Sequence, residues 1–120
     1  MSKILAADDD PGMLEFYKEL LTEAGYEVAT VPDGTAFMDQ CLDFKPDLLV
    51  LDVDMPAGGG ERAFVLAREI LQLGLPVIFV TGLPDRVQNY ALFEDQVSIF
   101  QKPVKSEALL AEIKRLLRPH

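Results

Sequence analysis

The residues Leu48-Leu49-Val50-Leu51-Asp52 set four branched aliphatic side chains in a row and end them on a carboxylate. A strand wetted on one face would alternate apolar and polar residues, so this unbroken run belongs in a sheet covered on both faces. Pro76-Val77-Ile78-Phe79-Val80 repeats the pattern and ends on Thr81, and Ile4-Leu5-Ala6-Ala7 repeats it again and ends on Asp8. The candidate strands are therefore Lys3 to Ala7, Glu27 to Val31, Asp47 to Leu51, Pro76 to Thr81 and Val97 to Gln101. Between them the apolar period becomes helical: Met13, Phe16, Leu20 and Ala24 mark one face, and Leu109, Leu110, Ile113, Leu116 and Leu117 mark another. Such alternation predicts an α/β fold, an open doubly wound five-stranded parallel sheet built by right-handed crossovers.

The whole chain, 120 residues with 49% apolar and 26% charged side chains, suits a single domain spanning 1–120 that buries its core without disulfides. Its last helix is expected to run to Arg118, with any output domain outside these residues. Eleven basic against twenty acidic residues leave a net charge of −9, which repels phosphate backbones and anionic membrane surfaces and argues against direct nucleic-acid binding. With Cys41 the only cysteine and His120 the only histidine, zinc sites, disulfide frameworks and most Ser-His-Asp or Cys-His catalysis are removed. The longest uninterrupted apolar run, Leu75 to Val80, falls far short of the roughly 18 residues of a membrane span. A cytoplasmic protein working through oxygen chemistry is the expectation.

Ligands of open α/β sheets bind beyond the carboxyl ends of the strands. Those ends carry Asp8-Asp9-Asp10, Asp52 with Asp54 two residues on, Thr81 and Lys102. Asp10 precedes Pro11 and reads as a helix N-cap followed by proline at the first helical position. Asp8 and Asp9 have no such role, and carboxylates gathered at one edge repel one another unless a cation lies among them. All-oxygen ligation points to Mg²⁺ or Mn²⁺ and to a small-anion or phosphoryl ligand. Asp52 is the best-placed nucleophile for a phosphoryl group, with the Thr81 hydroxyl and the Lys102 ammonium neutralising the growing charge.

With these positions in hand, the chain from Lys3 to Leu117 resembles the receiver domain of two-component response regulators. The resemblance is carried by Lys3-Ile4-Leu5-Ala6-Ala7-Asp8-Asp9-Asp10, Leu49-Val50-Leu51-Asp52-Val53-Asp54-Met55-Pro56, Val77-Ile78-Phe79-Val80-Thr81-Gly82 and Phe100-Gln101-Lys102-Pro103, four motifs in order. It implies a flavodoxin-like (βα)5 fold with strand order 2-1-3-4-5 and a phospho-acceptor at Asp52. It also implies a switch hydroxyl at Thr81, a phosphate-binding lysine at Lys102, and a metal held by Asp9, Asp52 and the Asp54 backbone carbonyl, with Asp8 acting largely through water. The implied donor is a sensor histidine kinase or histidine phosphotransfer protein. The implied output is a downstream protein or fused domain reading the surface of the fourth helix, fifth strand and fifth helix.

Some residues depart from that pattern. Ile99 stands at a switch position usually held by Tyr or Phe, and the neighbouring Phe100 is expected on the opposite side of the sheet. The Asp54 side chain adds a carboxylate near the acceptor, and Pro56-Ala57-Gly58-Gly59-Gly60 suits either a reorganising loop or a plain turn into a helix. Val87, Tyr90, Ala91, Leu92 and Phe93 exceed one buried stripe, which suggests a partner surface or a homodimer beside ordinary packing. Two other readings stand against phosphoacceptor signalling: a receiver-like interaction module that is not phosphorylated, and a small aspartate-based phosphatase suggested by Asp52-Val53-Asp54.

Overall fold

A computed structural model describes residues 2–52, 75–82, 84 and 96–118, apart from the side chains of residues 34, 35 and 38. Strands β1 (Lys3–Ala7), β2 (Glu27–Val31), β3 (Leu48–Leu51), β4 (Val77–Thr81) and β5 (Val97–Gln101) pair in parallel, in the order β2-β1-β3-β4-β5. Helix α1 covers Pro11–Glu23, α2 covers Gly34–Phe44, and a C-terminal helix covers Ser106–Leu116. Strand order therefore reverses between β1 and β3, which are direct neighbours with Ala7 opposite Leu51. The next residues in each strand, Asp8 and Asp52, are thus delivered to one edge.

Period-two alternation divides the core into two halves. Leu5, Ala7, Leu49, Leu51, Val77 and Phe79 face α2 and pack with Phe37 and Cys41, whereas Ile4, Ala6, Leu48, Val50, Ile78 and Val80 pack with Tyr17 and Leu21 of α1 and with Leu109, Ile113 and Leu116 of the C-terminal helix. Helices thus cover both faces, and the unbroken apolar runs of β1, β3 and β4 follow from that burial. Ile99 packs in the first half and Phe100 against the second, on opposite sides of the sheet.

The buried stripe of α1 is turned from the one its spacing suggested. Tyr17 and Leu21 are fully buried, Met13, Phe16 and Leu20 flank them, and Ala24 is the exposed C-cap. A ~100° apolar stripe accommodates either centre when Phe16-Tyr17 and Leu20-Leu21 are adjacent pairs. The C-terminal helix ends at Leu116 rather than Arg118, with Leu117 as its C-cap. β3 and β4 each begin one residue later than expected, at Leu48 and Val77.

Caps and turns fix the helices against the sheet. Asp33 accepts from the Ala36 N–H at 3.0 Å at the start of α2. Glu112 of the C-terminal helix accepts from the Ser98 hydroxyl on β5 and is gripped by Arg115 Nε and Nη2 at 2.6 and 2.9 Å, tying the edge strand to that helix. Gly25 ends the α1 turn at φ 98°, where its N–H bonds to Thr22 O at 3.0 Å. A Cβ there would meet nothing within 4 Å, so a substitution is opposed by backbone conformation alone. Gly25→Ala is expected to lower stability by about 1–2 kcal/mol in urea denaturation while leaving the slope of the transition unchanged.

Candidate functional site

The strand ends assemble the site through backbone bonds that continue past the strands. Asp8 N–H donates to Val31 O at 3.2 Å, Asp52 N–H to Ala7 O at 3.1 Å, and Lys102 N–H to Thr81 O at 2.9 Å. These bonds place Asp8 over β1, Asp52 over β3 and Lys102 just beyond β5, beside the end of β4. Among the described residues the buried polar ones are Asp8, Asp52 and Thr81, at 0%, 3% and 0% exposure, whereas Asp9 is exposed. Buried polar groups gathered at one edge of a largely apolar sheet make that edge the candidate functional site.

Lys102 bridges the two buried carboxylates. Its Nζ lies 2.9 Å from Asp8 Oδ2 and 3.0 Å from Asp52 Oδ2, with a hydrogen bond to Asp52. The Asp8 contact is an ion pair without hydrogen-bond alignment, which leaves the enclosed Asp8 Oδ2 with no aligned hydrogen-bond donor among the described residues. Asp8 Oδ1 accepts from the Asp10 N–H at 3.0 Å. Burial raises the Asp8 pKa, opposed by the Asp10 N–H and by Lys102 and reinforced by the Asp52 charge. Burial alone would lower Lys102, but its close contacts with the Asp8 and Asp52 carboxylates outweigh that and raise it. The Tyr17 phenol is also held neutral, by burial first and then by the Asp8 and Asp52 charges.

Carboxylate oxygens of Asp8, Asp9 and Asp52 all lie within 4.8 Å of one another. Among the described residues, three carboxylates against the Lys102 ammonium leave two negative charges when all are ionised. An all-oxygen donor set with that surplus and an enclosed oxygen lacking a donor fits a hard divalent cation. The cluster can therefore hold a metal ion, and the Lys102 ammonium is placed to meet an anion arriving beside it.

The structure brings together Asp8, Asp9, Asp52 and Lys102, with Thr81 at the neighbouring strand end. Asp54, the loop from Pro56 to Gly60 and the apolar group of Val87, Tyr90, Ala91, Leu92 and Phe93 lie outside the described residues. Sequence reasoning gave Lys102 to the phosphoryl group alone and missed its ion pair with Asp8. It also missed Tyr17, whose signal was the one aromatic hydroxyl in a helix directly following the acidic run. The Asp10 cap is present, with its side chain accepting from the Gly12 N–H.

Comparison with known proteins agrees with this geometry. The family model described as "Response regulator receiver domain" matches residues 4–114. The transcriptional regulatory protein CpxR of Escherichia coli K12 is 37% identical over 121 residues, covering 98% of this chain and 50% of the relative. The DNA-binding response regulator MtrA of Mycobacterium tuberculosis is 28% identical, covering 97% and 50%. This chain thus spans about half the length of the curated relatives it matches. Among solved structures, response regulator TrrA of Thermotoga maritima in complex with Mg²⁺ and BeF superposes with a TM-score of 0.85 at 26% identity, covering 98% of this chain and 100% of that one. The BeF3-activated N-terminal receiver domain of Klebsiella pneumoniae RstA does so with 0.86 at 25%, covering 98% and 100%. These findings favour neither the phosphatase nor the unphosphorylated module.

Because the Asp8 pKa is raised on folding, the folded chain holds that proton more tightly than the unfolded one. The associated stability is complete below the usual carboxylate value of 3.8 and is lost as pH rises through the folded value. At neutral pH and without divalent cations, Asp8→Asn is therefore expected to melt above the wild type. Saturating Mg²⁺ should narrow or reverse that difference, because only the wild type keeps all three carboxylates; calorimetric melting with and without Mg²⁺ reads both signs.

Proposed function

The chain belongs to the response regulator receiver domain family, and on that premise we propose that it accepts a phosphoryl group on Asp52 and passes the resulting change to a protein partner. The observation that carries the proposal is the bridging of two buried carboxylates on neighbouring strands by Lys102 Nζ, at 2.9 and 3.0 Å, with a third carboxylate in the same cluster. An Asp52 oxygen attacks the phosphorus of a phosphohistidine or an acyl phosphate, forming the acyl phosphate while the bond from phosphorus to the donor breaks. The donor imidazole or carboxylate leaves with the bonding electron pair. A carboxylate nucleophile carries no proton to be removed, so the step needs no base. Lys102 keeps a positive charge beside it throughout and is positioned to meet a phosphoryl oxygen once Asp52 is esterified.

Thr81 supplies the second contact. Its hydroxyl, at the buried end of β4, would donate to a phosphoryl oxygen, and its carbonyl is already tied to the Lys102 N–H. Asp8, Asp9, Asp52 and the Asp54 carbonyl would hold Mg²⁺, with Mn²⁺ as a substitute. Bound there, the ion supplies charge neutralisation for the acceptor and the phosphoryl oxygens. Slow hydrolysis of the acyl phosphate returns the resting state, so the domain signals rather than turns over a substrate.

The proposed donor is a sensor histidine kinase or histidine phosphotransfer protein in the cytoplasm. The proposed reader is a downstream protein or fused output domain on the surface that includes β5 and the C-terminal helix. Among the described residues no helix is long and apolar enough to cross a membrane. With its charge of −9 this segment is not expected to touch nucleic acid itself. Ile99 is half-buried against the core and has no aromatic ring to turn, which supports a switch that rests on Thr81 and the adjoining loops.

Incubation with acetyl phosphate and Mg²⁺ should add one phosphoryl group to the intact mass of the wild type and none to Asp52→Asn. Lys102→Ala should slow its appearance about 100-fold or more, the scale of losing one preorganised charge-stabilising donor. An adduct that persists in Asp52→Asn would place the acceptor elsewhere.

A further inference from the structure

A chain of hydrogen bonds runs from the start of α1 into the acidic cluster. Asp10 Oδ1 accepts from the Gly12 N–H at 2.9 Å, its carbonyl accepts from Leu14 N–H at 3.1 Å, and its own N–H donates to Asp8 Oδ1 at 3.0 Å. Its backbone sits at φ −92° and ψ 114°, the extended region to which a residue before proline is confined. Pro11 and the cap therefore set the Asp10 backbone from the helix side, and that backbone sets the direction of its N–H. With Oδ1 engaged in this way, the enclosed Asp8 carboxylate is oriented so that Oδ2 meets Lys102 Nζ at 2.9 Å. Gly12 leaves room for the arrangement, because a Cβ there would lie 3.3 Å from Asp10 Oδ1.

We infer that Asp10 is a positioning residue: it is not a ligand, and its capped backbone aims the Asp8 carboxylate at Lys102 and at the cation held with Asp9 and Asp52. Resting on the phosphoacceptor reading above, the inference gives the third aspartate of the acidic run a task beyond starting a helix. Losing the cap frees the Asp10 N–H to turn, lets the Asp8 carboxylate rotate, and weakens the site without removing any of its charges.

The test compares Asp10→Asn with Asp10→Ala. Both remove the Asp10 charge, but only asparagine keeps an oxygen for the Gly12 N–H, so their ratio reads the cap alone. Mg²⁺ affinity by calorimetry and the rate of adduct formation with acetyl phosphate at saturating Mg²⁺ are measured with melting temperature as the control. The expected result is at least threefold weaker Mg²⁺ binding and at least threefold slower adduct formation in Asp10→Ala than in Asp10→Asn. Exchange protection of the Asp10 amide should also be lost in the metal-free alanine variant alone. Should the alanine variant leave too little folded protein, Asp10→Gly takes its place, since glycine starts a helix nearly as well but offers no acceptor. Equal Mg²⁺ affinities in the two variants, whatever their melting temperatures, would overturn the inference. A threefold affinity difference in a chain that forms no adduct would uphold the positioning role and remove the phosphoacceptor reading.

Discussion

The Lys102 ammonium, set against Asp8 and Asp52 at the carboxyl edge of the sheet, is the interaction on which the arrangement of the site depends. Like charges about 4 Å apart repel by about 4 kcal/mol at an effective dielectric near 20, so two enclosed carboxylates on neighbouring strands are unfavourable without a counter-charge. Lys102 supplies one unit against their two, and Asp9 widens the surplus to two negative charges. That surplus makes the edge receptive to a divalent cation. The raised Asp8 pKa, caused first by burial, expresses the same imbalance. Stability and reactivity are thus opposed at one place in the molecule, as expected where a fold holds charge ready for a ligand.

The remainder of the fold keeps that edge rigid. Two apolar half-cores, one under α2 and one under α1 and the C-terminal helix, enclose β1, β3 and β4 and hold their ends in register. Because β1 and β3 are adjacent, the residues after them meet with no contribution from a long loop. β5 lies at the sheet edge, is paired with β4, and is tied by Ser98 to Glu112 of the C-terminal helix. A change at Lys102 therefore has a continuous path through β5 into that helix.

Much of this was legible in the residues. Unbroken aliphatic runs gave the doubly covered strands, and the strand ends gave Asp8, Asp9, Asp52, Thr81 and Lys102, because each element announces its own period and its own last residue. Asp10 beside Pro11 announced the cap. What was not legible depends on relations between elements. The Lys102 contact with Asp8 requires both strand order and side-chain reach, and the turn of the Asp10 N–H back onto Asp8 requires the loop's dihedral angles. The rotation of α1 onto Tyr17 and Leu21 was missed because adjacent aromatic and aliphatic pairs let the stripe be centred on either member.

With the Lys102 ammonium set against three carboxylates, the acidic edge suits a divalent cation and a phosphoryl group on Asp52. A crystal structure grown with Mg²⁺ and beryllofluoride tests this most directly. Beryllofluoride is expected on Asp52, the ion between Asp9 and Asp52 oxygens, and the Lys102 ammonium moved from Asp52 onto the fluoride. A structure with that edge empty, with Lys102 still bridging Asp8 and Asp52 under saturating ligand, would contradict it.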